Sequence, residues 1–247
     1  RQREGAAAEQ TPGEDSDPVA GLAQADTPGS CALDGEYTTA RLDQLVIHHH
    51  ADGGARADKF ERDERMLRAS LERTPDDPRS VFYLAQTLRD LGRADEAIAQ
   101  YERRTTLGAW PEEVFYARLQ VGVLQGDRGR WAEALASLIA AWQLRPWRME
   151  PVYELASRLR LRGEHQAAYA FAVQGAGVPV SDDWLFVAGW VHRYGLLAEL
   201  SITAFHTGRF REALAACEEL LALPDLPEVY RESTSRNRAL CLERLAG

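Results

Sequence analysis

Gly92-Arg-Ala-Asp-Glu-Ala97 returns as Gly129-Arg-Trp-Ala-Glu-Ala134, Gly163-Glu-His-Gln-Ala-Ala168 and Gly208-Arg-Phe-Arg-Glu-Ala213. Each copy opens on a glycine and places an alanine five residues later. A glycine just ahead of a helix-forming run marks a turn, because glycine takes up a left-handed backbone at little steric cost. Seven residues before each glycine stands a small residue behind a larger one: Leu84-Ala85, Val121-Gly122, Leu155-Ala156 and Leu200-Ser201. Small side chains at matched positions on both sides of a turn let two helix backbones approach closely. The phrase therefore reads as helix, turn, helix, repeated four times.

The four glycines are 37, 34 and 45 residues apart, and about 34 residues is the tetratricopeptide period. The extra three residues fall near Leu107-Gly-Ala-Trp110 and the extra eleven near Val178-Pro-Val-Ser-Asp-Asp-Trp184. Both lie where one hairpin hands over to the next, and the expectation is that they only lengthen loops. Pro75 and Pro146 stand where a second helix should stop, since proline lacks an amide donor and clashes with the turn before it. Upstream, Lys59 to Thr74 fits half a repeat, with Leu67, Ser70 and Leu71 in register. Downstream, Pro227 to Leu245 fits one final helix, with Tyr230, Leu240, Leu242 and Leu245 covering the open end of the stack. The expected fold is all-α: a tetratricopeptide-like right-handed α-solenoid of about four helical hairpins over residues 59–247, with a half repeat before and a C-terminal capping helix after.

Composition agrees. The 247 residues are 45% hydrophobic and 27% charged, enough to bury a continuous interior, and β-branched residues are scarce. A formal charge of −9 argues against nucleic-acid binding by phosphate neutralisation. No run of apolar residues is long enough for a membrane span, and the N-terminus does not read as a secretion signal. Cys31, Cys217 and Cys241 have no metal-ligand spacing, and their odd number suits reduced thiols in a cytoplasmic protein. The first methionine is Met66, so the chain reads as a fragment or a processed product.

Residues 1–36 are rich in Ala, Gly, Pro and acids without apolar period and read as a flexible tail or linker. Residues 37–58 form a junction in which Leu42, Leu45, Val46 and Ile47 fit either a short strand or a helical turn.

Beyond the repeat itself, three runs resemble the C-terminal repeat region of bacterial family-2 glycosyltransferases: His49-His-Ala-Asp-Gly-Gly-Ala-Arg-Ala-Asp-Lys-Phe-Glu-Arg-Asp63, Val81-Phe-Tyr-Leu-Ala-Gln-Thr-Leu-Arg-Asp-Leu-Gly92, and Arg104 through Gly108-Ala-Trp-Pro-Glu-Glu-Val114. Trp184-Leu-Phe186, Arg193-Tyr-Gly-Leu-Leu-Ala-Glu-Leu200 and Ala204-Phe-His-Thr-Gly208 look like the closing repeat of the same family. The resemblance covers roughly residues 45–242. It implies a preceding GT-A domain that binds a nucleotide sugar and a divalent cation through a DxD motif. The segment ahead of residue 45 is shorter than the ~100 residues a Rossmann-like sheet needs, so this chain itself is expected to hold no cofactor and no catalytic residues. Asp15-Ser-Asp17 has the DxD form but no apolar strand beside it. Within the resemblance, His49 or His50 would complete a cation site only together with the GT-A domain; three adjacent histidines point different ways and have no ligand set of their own.

The first helix of each hairpin lines the inner face of such a stack. Register assigns Arg79, Phe82, Gln86 and Arg89 from one repeat and Tyr153, Glu154 and Arg160 from another to that face, a mixture of Arg and aromatic groups that suits a protein or peptide partner. The six tryptophans suit packing at hairpin junctions better than sugar stacking. Glu112-Glu113 and Asp182-Asp183 read as acidic first turns of helices. The sequence thus points to a non-catalytic module for protein interaction or self-association, either the C-terminal arm of a family-2-like glycosyltransferase or a free-standing adaptor. A third reading, that the chain is itself a glycosyltransferase, requires nucleotide-sugar binding.

Overall fold

The computed structural model describes residues 58–246. His49, His50, Asp15-Ser-Asp17, Cys31 and residues 37–57 lie outside the described residues. Among the described residues ten α-helices follow one another: α1 (Lys59–Arg73), α2 (Pro78–Asp90), α3 (Ala94–Thr106), α4 (Pro111–Asp127), α5 (Trp131–Leu144), α6 (Glu150–Leu161), α7 (His165–Gly175), α8 (Leu196–His206), α9 (Phe210–Ala222) and α10 (Glu228–Ala246). A π-helical turn, Val191–Gly195, runs directly into α8. No strand occurs among the described residues.

Each helix packs on its neighbours in sequence, and α4 also meets α6, α6 meets α8, and α8 meets α10. Contacts confined to near neighbours are the mark of a solenoid. The even-numbered helices, touching across repeats, form one wall, referred to below as the inner wall.

The repeated glycines make the hairpins. Gly92, Gly129, Gly163 and Gly208 have φ of 73°, 74°, 78° and 78°, the left-handed region where other residues are strained. In the first copy the Gly92 amide donates to the Arg89 carbonyl and the Arg93 amide to the Leu88 carbonyl. The same two bonds recur at Gly129, Gly163 and Gly208. This Schellman arrangement satisfies the carbonyls that a helix end leaves open. The residue after the glycine is then the N-cap of the next helix.

The small residues lie where the hairpin closes. Ala85, Ala97, Ala134, Ala156, Ala168 and Ala213 are fully buried. A methyl group added at Gly122 would sit 2.7 Å from Leu138 Cγ, so α4 and α5 can approach this closely only without a side chain there. The turn residues also stitch each repeat to the one before. Arg93 bonds Glu64 of α1 at 2.7 Å, Arg128 bonds Asp95 of α3 at 3.0 Å, and Arg162 and Arg209 stack over Trp131 and Tyr169.

Two expectations are corrected. The capping helix α10 does not face the stack with its leucines: Leu240, Leu242 and Leu245 are exposed, while Tyr230, Thr234 and Cys241 make the contact with α8 and α9. Nor does the eleven-residue insertion merely lengthen a loop. Residues 176–188, between α7 and the helical turn that starts at Gly189, run as an irregular strap against the N-terminal ends of α4 and α6.

Candidate interaction surface

The strap is anchored by charge. Arg148, between α5 and α6, is fully buried. Its guanidinium bonds both Glu150 oxygens at 2.7–3.0 Å and the Leu185 and Phe186 carbonyls at 3.1 and 2.9 Å, and it lies 4.6 Å over the Phe115 ring. Glu112, in the first turn of α4, accepts from the amides of Trp184 and Leu185 at 2.8 and 2.7 Å. Glu150, in the first turn of α6, accepts from the Ala188 amide at 3.0 Å. Buried main-chain groups with no helix or sheet partner need such acceptors and donors.

Asp183 sits between Arg145 and Arg148, at 2.7 and 3.3 Å, and takes a further bond from the Trp147 indole. Burial opposes its charge, but these hydrogen bonds and the two guanidinium groups hold its carboxyl down at about 2. The Asp182-Asp183 pair is therefore not the first turn of a helix, as expected from sequence; helical structure resumes only at Gly189.

Between these anchors the strap's side chains fill the inner wall. Leu185 is buried among Phe82, Ala117, Val121 and their neighbours from α2 to α4. The Phe186 ring lies 4.6 Å from Tyr116, and the Trp190 ring, just past the strap, stands edge-on to Tyr153 at 4.8 Å. Phe186 has a φ of 48°, a conformation costing on the order of 1–3 kcal/mol that persists only where neighbours fix it. Here Arg148 fixes its carbonyl and Tyr116 its ring.

The sequence-assigned inner-face residues divide into two groups on either side of the strap. At the α2 end, Arg79 is exposed over Tyr83, and Arg89 donates to the Tyr116 hydroxyl and to Gln120 at 3.0 and 3.4 Å. Gln86 is half-buried on the same helix. Phe82, assigned as a contact residue, is instead core at 2% exposure. Its ring is enclosed by Tyr101 and Tyr116. At the other end, Tyr153 is covered by Trp190, Glu154 pairs with Arg158 at 2.8 Å, and Arg160 grips Glu199 of α8 through two bonds of 2.7 and 3.0 Å. Burial pushes the Glu154 carboxyl up, although Arg158 works against it.

Tyr116, Gln120 and Asp127 of α4 belong to this wall but escape a reading based on α2 and α6 alone, and Arg158 of α6 joins it by bonding Asp127. Arg148, Glu112 and Glu150 escape it too, because nothing local distinguishes them from surface charges. Of the tryptophans, Trp131, Trp142 and Trp190 pack as expected, whereas Trp110, Trp147 and Trp184 are exposed. Among the described residues, no group of three or more His, Cys, Asp or Glu is placed to hold a metal ion, and no helix is long and apolar enough to cross a membrane.

No family model matches the chain, and no curated protein matches its sequence. Solved structures do resemble it. A structure of MamA superposes with a TM-score of 0.54 at 16% identity, covering 77% of this chain and 99% of that one. A second MamA structure gives 0.52 at 17% identity over 67% and 82%. A Podosopora anserina protein described as having nearly identical TPR-like repeats gives 0.50 at 17% identity over 70% and 88%. Likeness at this identity is one of fold, and the fold is an all-α tetratricopeptide-type solenoid.

Proposed function

We propose that this chain is a protein-interaction module whose inner wall takes a segment of a partner protein. The observation that carries the reading is the wall itself: even-numbered helices set side by side present Arg79, Gln86, Arg89, Gln120, Asp127 and Arg158 along one face. Arginine and aromatic groups held in place by their neighbours are the kind of surface on which interface energy concentrates. Substitution tests this: Arg79→Ala with Gln86→Ala, on the open end of the wall, should reduce capture of the partner roughly tenfold while the helical content stays constant. Capture unchanged by the pair would place the interaction elsewhere.

A finer reading rests on the sequence runs that resemble the repeat region of family-2 glycosyltransferases. On it the module is the C-terminal arm of such an enzyme, with donor, cation and catalysis belonging to a separate GT-A domain. Sequencing the gene upstream of Arg1 tests it directly: a GT-A coding region supports the arm, and its absence leaves the free-standing adaptor. The isolated chain separates the two as well, since an adaptor retains its partner unaided whereas an arm self-associates or binds nothing.

A further inference from the structure

Resting on the reading of the inner wall as an interaction face, we propose that residues 183–188 are a resident peptide in a peptide-binding groove. The partner it stands in for is an extended segment of the same chemistry: an acidic residue followed two positions later by leucine and three later by an aromatic ring.

The groove belongs to the helices, not to the strap. Glu112 and Glu150 sit in the first turns of α4 and α6 and Arg148 precedes α6. Together they supply acceptors for the Trp184, Leu185 and Ala188 amides and a donor for the Leu185 and Phe186 carbonyls. Hydrogen bonds to main chain grip an extended peptide whatever its sequence, and pockets for alternate side chains then select. Leu185 enters the cluster formed by α2 to α4, Phe186 lies on Tyr116, and Asp183 lies between Arg145 and Arg148. Trp184, by contrast, points away with 73% of its surface exposed. Asp183, Leu185 and Phe186 are thus turned to the helices while Trp184 alone of residues 183–188 is exposed.

Two features make the resident segment replaceable. Its attachments to the solenoid pass through Gly177, at a φ of 81°, and Gly189. Its own Phe186 is held in the left-handed region, which weakens its grip relative to a segment free of that strain. Tethering raises its effective concentration to the order of millimolar, so it excludes weak ligands and admits only those that bind well.

The test uses the full chain with its strap disarmed but its length kept, Asp183→Ser/Leu185→Ser/Phe186→Gly, and a fluorescent synthetic peptide of residues 180–190. The disarmed chain should bind the peptide saturably and the native chain at least ~10-fold more weakly, because the resident copy competes. A peptide carrying the same three changes should not bind. No binding to a disarmed chain that keeps its helical spectrum and cooperative melt would overturn the proposal. Should that variant fail to fold, hydrogen exchange on the native chain decides: the Trp184, Leu185 and Ala188 amides should exchange at least ~10-fold faster than amides in the middle of α4. Exchange only through global unfolding would show a segment that never leaves its groove and overturn the proposal. If the peptide fails while the Arg79/Gln86 pair still controls partner capture, the resident-peptide reading falls and the interaction reading stands.

Discussion

Glycine serves two different ends in this chain, and substitution separates them. At Gly163 the demand is on the backbone: φ is 78° and the space around a Cβ is open. Gly163→Ala should cost about 1 kcal/mol, and Gly163→Asn less, since asparagine tolerates the left-handed region. At Gly122 the demand is on space, with the Leu138 side chain 2.7 Å and its backbone nitrogen 3.2 Å from where a Cβ would sit. Gly122→Ala should cost about 1–3 kcal/mol by overpacking, and asparagine should be worse. Urea denaturation of the four variants checks both signs; an asparagine that rescues position 122 but not 163 would contradict the assignment. These positions are legible in the sequence because they recur. Phe82 and the leucines of α10 are not, because an apolar residue at helical spacing does not say which of two faces is covered. In α10 the polar Thr234 and small Cys241 turn inward instead.

At the scale of elements, the helices follow from local signals and the strap does not. The turn glycines, Pro75 and Pro146 bound the helices within reach of a short window. The strap is held by partners 35 to 73 residues away, and no periodicity announces such contacts. Its anchors make two predictions. Removing Arg148 strands Glu150 as a buried acid and frees the Leu185 and Phe186 carbonyls, while Asp183 keeps Arg145, so Arg148→Met should cost about 3–5 kcal/mol in denaturant. A loss under about 1 kcal/mol would mean that the network is far more hydrated than its burial indicates. Asp183 supplies a pH signature. Its carboxyl, ordinarily near 3.8 and here held at about 2, stabilises the fold fully above pH 4 and loses that contribution as pH falls through 2. The native chain should therefore lose roughly 2 kcal/mol more than Asp183→Asn between pH 4 and 2. Parallel acid profiles for the two, followed by tryptophan fluorescence, would remove Asp183 from the anchor.

For the whole molecule, the period of the sequence is enough to predict an all-α stack because each hairpin meets mainly its neighbours. What the period cannot convey is that the inner wall is already partly filled. Superposition on MamA and on the TPR-like repeats extends over most of the chain, yet a shared fold does not specify a partner. On the proposed reading the function lies in the wall's own chemistry: an open α2 end beside a covered middle. A hydrogen-exchange footprint of the partner-bound chain bears on this without intermediates. Protection should appear in α2, α4 and α6, around Gln86, Gln120 and Arg158, with the amides of residues 184–188 changed as the groove is contested. Protection confined to α3, α5 and α7, with the even-numbered helices unaltered, would show that the inner wall is not where the partner binds.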